Sequence, residues 1–289
     1  MTEWKELALP TRIKSGRGYE ALTPQQYEER KANVYNASAG HLDAVDGYTC
    51  DLCKNRGYTA AVKYNEAFGY YYETLVPCKC QRVRDALRRL QASGLKNVVK
   101  DFTFDRYDAA DEWQQRLKDK AVQFCKDDAH TWLFMGGQSG AGKTHLCTAV
   151  TVHYIRKGKE ARYMLWRDEI AQIKAIVTDS AAYAARMDAL KKTPVLYIDD
   201  LFKGGQGEGG QYRSPTEADI KAAFEIINYR YNNPDLITII SSERTIGELS
   251  QIDEAIAGRI AERAKAAGYC LSIKRDPARN WRMKGIEEV

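Results

Sequence analysis

The segment Gly137-Gln138-Ser139-Gly140-Ala141-Gly142-Lys143-Thr144 fits G-x-x-x-x-G-K-[ST], the pattern of a phosphate-binding loop. Glycines at these spacings let backbone N–H groups approach phosphate oxygens closely. The pattern predicts that Lys143 reaches the β- and γ-phosphates of a nucleotide and that the Thr144 hydroxyl ligates Mg²⁺. We therefore expect an ATP site formed by this segment and the adjoining His145.

The residues on either side of the segment favour this interpretation. Residues 131–135 have the composition of a buried strand that runs into the loop. Residues 145–157 have the pattern of a helix, and Gly158 suits its C-terminal end. The positive end of such a helix favours bound phosphate. The alternative interpretation is a flexible glycine-rich turn.

A second apolar run predicts carboxylates beside the loop. The run Val195-Leu196-Tyr197-Ile198-Asp199-Asp200 has the pattern of a buried strand that ends in two acidic residues. We expect Asp199 to hold Mg²⁺ and Asp200 to polarise the attacking water. In the alternative interpretation, Asp200 only caps the turn that follows.

Two further polar positions are candidates for the same site. A strand over 236–242 leads into Ser241-Ser242-Glu243, where a polar group can sense the γ-phosphate; a simple strand-end turn is the alternative. Arg259 lies in a predicted helix over 253–267. Taken by itself, it is a surface arginine, as most arginines are.

From residue 101 onward, strands and helices alternate, which favours a parallel α/β sheet. The expected strands are 131–135, 161–166, 195–198, 236–242 and 269–273. Thr216 and Thr245 are expected to cap helices, the second in a capping box with Glu248. The sequence therefore predicts a five-stranded parallel sheet between helices.

Four of the seven cysteines form two close pairs, at Cys50, Cys53, Cys78 and Cys80. Between the pairs, Tyr58 to Tyr64 and Phe68 to Val76 have the composition of two strands. This arrangement is typical of a zinc ribbon, in which four thiolates hold a structural Zn²⁺ and leave no position open for water. The alternatives are four reduced structural thiols or a redox pair. Cys125, Cys147 and Cys270 stand singly and are expected to be ordinary buried cysteines.

Composition and charge limit the class of protein. No stretch approaches the ~20 apolar residues that span a membrane, and the N-terminus lacks an apolar signal core. These features predict a cytoplasmic protein. The net charge of +5 lies in residues 1–100, which hold 16 Lys/Arg and 11 Asp/Glu; the remainder holds 28 of each. Such a modest basic excess is compatible with nucleic acid and does not establish it.

Three regions are expected along the chain. They are a helical extension over 1–47, a zinc ribbon with a basic helix over 48–97, and an ATPase domain over 98–289. The basic helix, about 81–92, has an apolar stripe, and its arginines form either a solvated face or a contact for nucleic acid or an acidic partner. Residues 204–210 are rich in glycine and predict a mobile loop.

Taken together, these motifs resemble the DnaC/DnaI family of replicative helicase loaders, AAA+ ATPases that also include the transposition helper IstB. The resemblance runs from about Cys50 to the C-terminus. In its cysteine module, the chain resembles the DnaI branch of the family. It rests on C-x-x-C…C-x-C, the Arg-rich helix with Ser93-Gly94-Leu95, Phe102-Thr103-Phe104, G-Q-S-G-A-G-K-T-H-L, I-D-D-L, S-S-E-R-T-I-G-E-L and I-D-E-A-I-A-G-R-I. The run I-D-D-L-F-K looks most like phage-borne or Gram-positive members.

The resemblance implies an AAA+ core without a C-terminal lid. Arg259 would be the arginine finger that acts on ATP bound to a neighbouring subunit, so that ATP turnover reports assembly. The sensor would be Ser242 or Glu243, although many relatives carry Asn where Glu243 stands. Phe102 and Phe104 lie near where relatives hold the adenine.

The resemblance also implies partners. The zinc module would bind a DnaB-type hexameric helicase. The ATPase domain would self-associate and bind single-stranded DNA. Extra helices over 167–192 would offer DNA contacts from Lys174, Arg186, Lys191 and Lys192. Four further residues near the C-terminus would either contact a nucleic-acid backbone or form a solvated tail. They are Arg275, Arg279, Trp281 and Arg282.

The expected function is that of a helicase loader in the initiation of DNA replication. ATP would act as a switch more than as fuel, with slow hydrolysis raised by DNA. One alternative is a transposition helper ATPase, against which the zinc ribbon argues. Another is a small-molecule kinase, for which the sequence shows neither lid nor acceptor pocket. A third is a phage protein that redirects the host helicase or its loader.

Overall fold

The computed structural model describes residues 12–15, 18–92, 101–204 and 214–283, with side chains from residue 21 onward. The chain divides into two compact units, Met1–Arg84 and Asp85–Val289. This division differs from the predicted boundaries, since residues 1–47 share a unit with the cysteine module. Most of the glycine-rich loop predicted over 204–210 lies outside the described residues.

The first unit contains two antiparallel hairpins and two helices. Its elements in chain order are β1 (Arg12–Ser15), β2 (Gly18–Ala21), α1 (Pro24–Ala37), α2 (Leu42–Asp46), β3 (Tyr58–Asn65) and β4 (Tyr70–Pro77). The β3–β4 hairpin confirms the two predicted strands. The β1–β2 hairpin is a difference, because the sequence predicts only helix in this region.

Helix α1 begins and packs as its sequence dictates. Thr23 and Gln26 form a reciprocal capping box, and Pro24 takes the first helical position. The helix lies against the β3–β4 hairpin. The side chain of Asn36 accepts from the Ala60 N–H at 2.8 Å and donates to the Ala60 carbonyl at 2.9 Å. These bonds fix the helix on one strand of the hairpin.

A buried ion pair closes the first unit. Arg84 Nη1 donates to both carboxylate oxygens of Asp46, at 2.6 and 2.7 Å, and both side chains are almost fully buried. Arg84 lies in α3 (Cys80–Ala92), which continues past the boundary of the unit. The apolar stripe predicted for this helix is formed by Val83, Leu87 and Leu90, all of which are buried.

The second unit is a parallel sheet with helices. Its strands are β5 (Trp132–Gly137), β6 (Ala161–Leu165), β7 (Val195–Asp199), β8 (Ile237–Ser242) and β9 (Cys270–Ile273). Its helices are α4 (Glu112–Lys126), α5 (Lys143–Arg156), α6 (Trp166–Ala175), α7 (Ser180–Lys192), α8 (Glu217–Tyr231), α9 (Ile246–Ser250) and α10 (Glu254–Lys265). Two short 3₁₀ turns follow, Pro277–Arg279 and Trp281–Met283.

The order of the strands is β6-β7-β8-β5-β9, with every neighbour parallel. This is the five-stranded parallel sheet that the sequence predicts. Strand β8, which leads into the candidate γ-phosphate sensor, lies between β7 and β5. Strands β5, β7 and β8 are buried along their full length, as expected for a sheet covered on both faces. The carboxyl ends of these strands meet at one edge.

Helix starts in the second unit follow the sequence signals. Thr216 and Thr245 each form a capping box, with Asp219 and Glu248 respectively, which confirms both predicted N-caps. Helix α5 contacts the four strands β5 to β8, and α10 contacts β5 and β9. No helix within the described ranges is long and apolar enough to cross a membrane.

A fully buried arginine joins three elements of the second unit. Arg230, near the end of α8, donates to the carbonyl oxygens of Leu190, Lys191, Thr193 and Ile237 and to the Thr238 hydroxyl, at 2.6–3.2 Å. The guanidinium thus satisfies the carbonyl groups that end α7 and the residues that begin β8. Burial lowers the pKa of Arg230 to about 9.

We expect Arg230→Met to destabilise the second unit by about 3 kcal/mol or more, because several buried carbonyl oxygens lose their donor. The matched control is Arg116→Met in α4, whose exposed ion pair with Glu112 is worth at most about 1 kcal/mol. Urea unfolding followed by circular dichroism measures both. Equal stability of the two variants would contradict the role assigned to Arg230.

Candidate functional site

The glycine-rich segment forms a loop between β5 and α5. Strand β5 ends at Gly137, and α5 begins at Lys143 with Gly142 as its N-cap. Gly142 has φ of 81°, and a Cβ at this position would lie 2.5 Å from the Tyr107 ring. A side chain is therefore excluded here both by conformation and by space. The strand before the loop and the helix after it, both predicted from the sequence, are present.

The loop borders a cavity of about 330 Å³. From the loop and the start of α5, residues 139–145 line it. The other lining residues are Phe102, Arg106, Tyr107, Asp108, Gln114, Asp200, Lys203, Glu243, Trp281 and Arg282. Gly137 and Gln138, also predicted to bind nucleotide, are not among the lining residues, and their carbonyl oxygens accept hydrogen bonds from Lys143. A loop rich in N–H groups at a helix N-terminus, facing a cavity with several cations, suits a polyphosphate ligand.

Lys143 lies at the base of the loop. Its Nζ donates to the carbonyl oxygens of Gly137 and Gln138 at 2.9 and 2.7 Å. Burial lowers the pKa of Lys143, whereas the nearby carboxylates of Asp200 and Glu243 raise it. The ammonium group is thus held inside the loop by neutral carbonyl groups, a position from which it can meet phosphate oxygens.

The Asp199 carboxylate accepts more hydrogen bonds than any other described side chain of the site. It accepts hydrogen bonds from the hydroxyls of Thr144 at 3.2 Å, Tyr163 at 3.0 Å and Tyr197 at 2.7 Å. The Ser241 hydroxyl also donates to it. Four hydroxyls from α5, β6, β7 and β8 therefore hold one carboxylate that is almost fully buried.

The donor set fits magnesium. Thr144 Oγ1 and Asp199 Oδ1 are 3.2 Å apart, and adjacent oxygen ligands of an octahedral Mg²⁺ with bonds of about 2.0–2.1 Å lie ~2.9 Å apart. Hard oxygen donors are the ligands that Mg²⁺ takes beside nucleotide phosphates. A small adjustment would let both groups share one ion.

Asp200 directly follows Asp199 in a strained conformation. Its φ is 57°, in the left-handed region, and its N–H donates to Ser241 Oγ at 3.1 Å. Burial and the neighbouring charge of Asp199 raise the pKa of Asp200. Lys203 Nζ lies 2.9 Å from the Asp200 carboxylate and 2.8 Å from that of Glu243. One lysine therefore bridges the two acidic groups that line the cavity.

The polar side chains of the segment 241–243, which holds the candidate sensor, point in different directions. The Ser242 hydroxyl donates to the Leu201 carbonyl at 2.8 Å and accepts from the Arg244 N–H. Ser242 therefore points away from the cavity and does not line it. Glu243 does line it, and Ser241 bonds Asp199. The alternation of side chains along β8 explains the difference, because consecutive residues face opposite sides of the sheet.

Arg259 lies outside the cavity. Its Nε donates to Asn228 Oδ1 at 3.0 Å and its Nη1 to the Ala255 carbonyl at 2.9 Å. The guanidinium is 4.9 Å from the centre of the Phe224 ring. The side chain is half-buried on the surface formed by α8 and α10, so it does not contact the loop of its own chain.

The basic residues predicted to contact DNA are already paired with carboxylates. Lys174 lies 2.6 Å from Asp219, and Lys192 lies 2.6 Å from Asp188. Arg186 makes two bonds to Glu169, and Lys191 lies 2.9 Å from Glu225. The Lys192–Asp188 pair lies within α7, whereas the other three pairs join α6, α7 and α8, a structural role that the sequence pattern does not reveal.

The residues near the C-terminus that were considered for a nucleic-acid contact lie against other parts of the second unit. Arg275 bonds Glu248 at 3.0 Å, and the Arg279 guanidinium lies over the Trp113 ring at 5.3 Å. Trp281 and Arg282 line the cavity beside the loop. Phe102, expected near adenine, lines the cavity and stacks on His145 with ring centres 4.7 Å apart. Phe104 is not a lining residue, whereas Tyr107 is.

Sequence reasoning missed several residues of the site. Lys203, Tyr163 and Tyr197 reach Asp200 or Asp199, and only Lys203 had a signal, its spacing of three residues from Asp200. Tyr163 stands opposite Tyr197 in the β6–β7 register. Such pairing is visible only once the strand order is known.

The four cysteines of the first unit form a second candidate site. Their sulphur atoms all lie within 4.8 Å of one another, and all four residues are buried. Cys50 Sγ lies 3.8 Å from Cys78 Sγ, and Cys53 Sγ lies 3.5 Å from Cys80 Sγ. A tetrahedral Zn²⁺ with Zn–S bonds of about 2.3 Å places sulphurs ~3.8 Å apart. The cluster therefore fits zinc in number, element and spacing.

The backbone around the cluster supports this geometry. The Gly57 N–H donates to Cys53 Sγ at 3.3 Å, and Asn55 Oδ1 accepts from the Cys50 N–H at 2.7 Å. Lys54 and Asn55 adopt left-handed backbone conformations, with φ of 46° and 65°. The Cys50–Cys53 segment thus forms a tight turn that aims both thiols at the second pair.

Comparison with known families gives a match over most of the chain. The family described as IstB-like ATP binding protein matches residues 56–284. The uncharacterized protein YqaM of Bacillus subtilis (strain 168) is 32% identical over 209 residues, 69% of this chain and 63% of YqaM. The chain therefore spans less than two thirds of that relative. The phage-like element PBSX protein XkdC of the same organism is 29% identical over 239 residues, 78% of this chain and 83% of XkdC.

Among solved structures, the crystal structure of the DnaC helicase loader is similar with a TM-score of 0.49 and 23% identity. The likeness covers 58% of this chain and 96% of that chain.

We expect the purified full-length protein to contain about one zinc ion per chain, because the four thiolates complete a tetrahedral shell. Inductively coupled plasma mass spectrometry measures this content. Cys78→Ser should lose most of the zinc and lower the melting temperature of the first unit, since a metal in so small a unit supplies folding energy.

The matched control is Cys270→Ser, a cysteine of β9 outside the cluster, which should retain the zinc. A wild-type protein that binds no zinc after purification in its presence would contradict the assignment. So would equal zinc loss in the two variants.

Proposed function

This chain belongs to the IstB-like ATP binding protein family, and we propose that it is a helicase loader. It binds a DnaB-type hexameric helicase and single-stranded DNA and places the helicase ring on the DNA in an ATP-dependent way. Family membership supports the ATP-binding half of this proposal. The four-cysteine cluster of the first unit, which resembles the cysteine module of the DnaI branch, supports the helicase-binding half.

We propose that ATP binds at the cavity beside the Gly137–Thr144 loop. Proteins of this family are ATP-binding AAA+ ATPases. Lys143 contacts the β- and γ-phosphates, and Thr144 and Asp199 hold Mg²⁺, which neutralises the phosphate charge when bound. Asp200 polarises the attacking water, and Glu243 takes the sensor position. The support for these roles is that Lys143, Thr144, Asp200 and Glu243 line one cavity and that Asp199 accepts a hydrogen bond from the Thr144 hydroxyl.

Arg259 completes the ATP site of a second copy of the chain. Its exposure on the surface of α8 and α10, away from its own cavity, supports a role in trans. An arginine that reaches phosphate only in the assembly makes hydrolysis depend on self-association. In the free chain, its guanidinium lies over the Phe224 ring and donates to Asn228 and to the Ala255 carbonyl, contacts that it would exchange for phosphate in the assembly. ATP turnover is then weak in the free protein and rises with DNA and assembly.

The first unit provides the surface for the helicase. Its β3–β4 hairpin exposes several large apolar side chains, with Phe68 at its tip 79% exposed and Tyr70 51% exposed. Contiguous exposed apolar residues on a small unit mark interaction sites more often than chance. The cysteine cluster lies at the base of the hairpin. This exposed hairpin beside the metal cluster is the observation that carries the proposal.

A second candidate function is that of a transposition helper. The description of the family as IstB-like favours it. Such a protein shares the ATPase core but presents DNA to a transposase. The two candidates differ in the partner that the first unit binds.

The test is co-migration of the full-length protein with hexameric DnaB-type helicases, including that of Bacillus subtilis, by size exclusion with light scattering, with and without Mg·ATP. We expect a complex with the wild type. Phe68→Ser should weaken it by about tenfold, as expected for an exposed aromatic anchor, and should retain zinc. The matched control is Val177→Ser, an apolar residue of the second unit that is 64% exposed.

Each other outcome has a defined meaning. A complex that forms equally with Phe68→Ser contradicts the hairpin surface. A complex that ignores ATP favours a protein that captures the helicase rather than loads it. Absence of any helicase complex, together with binding to a transposase, establishes the transposition helper instead.

A further inference from the structure

The turn that follows β7, residues 200–203, is held firmly against the sheet. Leu201 and Phe202 are buried in it. The Leu201 N–H donates to the Ser241 carbonyl at 2.9 Å, and the Lys203 N–H donates to the Asp200 carbonyl at 2.9 Å. The backbone of the turn is therefore fixed on β8, and this fixes the point from which the Lys203 side chain extends.

The same turn has an unusual backbone. Asp200 and Phe202 have φ of 57° and 58°, in the left-handed region that residues other than glycine rarely adopt. Such conformations cost free energy and persist only where the surrounding structure imposes them, most often at functional sites. The turn is thus built to place particular side chains, and Asp200 and Lys203 are the two that line the cavity.

The Lys203 ammonium group lies between two carboxylates. Its Nζ is 2.9 Å from Asp200 Oδ2 and 2.8 Å from Glu243 Oε1. Burial lowers the pKa of Lys203, but the bonds to Glu243 and Asp200 outweigh it and raise the pKa overall, so the group is cationic. An ammonium group has three protons to donate, and these contacts use two. Because 33% of the side chain is exposed at the cavity, the third can be directed at a ligand there.

A second lysine reaches the same part of the cavity from another element. Lys143, at the start of α5, also lines it. Burial lowers the pKa of Lys143, and the positive charge of Lys203 lowers it further, so the two ammonium groups lie close to each other. Lys143 donates to carbonyl groups of the loop, whereas Lys203 contacts only carboxylates among its printed side-chain partners. A phosphate chain that leaves Lys143 therefore meets Lys203 next.

The acidic groups show which phosphate Lys203 would meet. Asp200 is the group that we assign to the water attacking the γ-phosphate, and Lys203 lies 2.9 Å from it. Asp200 and Glu243 would repel a γ-phosphate strongly in so buried a place, since like charges at short range oppose each other. A cation between both carboxylates and the phosphate offsets this repulsion. A diphosphate, which lacks the terminal group, has no comparable need of it.

We propose that Lys203 binds the terminal phosphate of a nucleoside triphosphate and makes the site selective for triphosphate over diphosphate. Asp200 and Glu243 orient its ammonium group, and the ammonium group shields the phosphate from both of them. This inference rests on the proposed binding of ATP at the loop and not on helicase loading. It gives the site a means of distinguishing ATP from ADP within one chain, before Arg259 of a second copy is present.

The test is isothermal titration calorimetry of the full-length protein in Mg²⁺, with ADP and with AMP-PNP, a triphosphate analogue that resists hydrolysis. We expect Lys203→Met to raise the Kd for AMP-PNP by about tenfold or more, as for loss of a charge-assisted hydrogen bond. The Kd for ADP should change by less than about threefold. Lys203→Arg should keep part of the selectivity, because it keeps the charge.

The matched control is Lys120→Met in α4. Lys120 is a half-buried lysine that donates to the Ala267 carbonyl at 3.2 Å, outside the cavity lining. This variant should change neither Kd. Melting temperatures of all variants show whether they are folded.

A second background separates phosphate binding from a purely structural role. Lys203→Met removes an ion-pair partner from the buried Glu243 carboxylate, whereas in Glu243→Gln no such charge remains. Within the Glu243→Gln protein, adding Lys203→Met should still raise the Kd for AMP-PNP by about tenfold. If the effect of Lys203→Met disappears in this background, Lys203 serves only to satisfy Glu243, and the proposal is overturned.

Equal losses of AMP-PNP and ADP affinity in Lys203→Met would also overturn the proposal, as would unchanged Kd values for both. Lys143→Ala distinguishes the two levels of inference. If Lys143→Ala binds both nucleotides normally, the proposed ATP site at the loop itself fails. If Lys143→Ala loses binding while Lys203→Met keeps normal selectivity, only the role of Lys203 fails.

Discussion

The buried carboxylate of Asp199 is the point on which the second unit depends. It accepts hydrogen bonds from hydroxyls of α5, β6, β7 and β8, so the four elements must be in register for the carboxylate to be satisfied. A shift of one residue in any strand would turn its hydroxyl to the other face of the sheet. Because an unsatisfied buried carboxylate is costly, this network ties the strand order to the geometry of the phosphate-binding loop. The same network places Thr144 and Asp199 where a metal ion and a nucleotide can use them.

The first unit solves a different physical problem. With fewer than ninety residues, it can bury little apolar surface, and a short chain of this kind commonly depends on a metal for stability. The four clustered thiols and the buried Arg84–Asp46 pair replace part of a hydrophobic core. Phe68 and Tyr70 of the β3–β4 hairpin are not part of a core and remain exposed. Under the proposed function, the cysteine cluster and the recognition surface both belong to the first unit, and the nucleotide site belongs to the second.

Much of this organisation could be predicted from the sequence. Side-chain directions and contacts between distant residues could not, for physical reasons. The loop before α5, the acidic end of β7 and the paired cysteines were predictable because short motifs impose their own local geometry. The Ser242 assignment was less secure, since pleating decides which of three consecutive polar residues faces the cavity. Ion pairs such as Arg186–Glu169 join helices that the sequence separates, so a basic residue there gave no sign of its partner. The Trp281 N–H donates to the Gly140 carbonyl across more than a hundred residues, a contact that only the folded chain shows.

If ATP binds at the loop of one chain and Arg259 of a second chain completes the site, two inactive variants should restore each other. Lys143→Ala lacks the phosphate-binding lysine but keeps Arg259, and Arg259→Ala has the opposite defect. We would measure ATP hydrolysis by each variant alone and by their equimolar mixture, with Arg263→Ala, one turn along α10, as the control for the arginine. Low activity of each variant alone and recovery in the mixture is the predicted result. Full activity of Arg259→Ala alone, or a mixture no more active than its components, would contradict a shared ATP site.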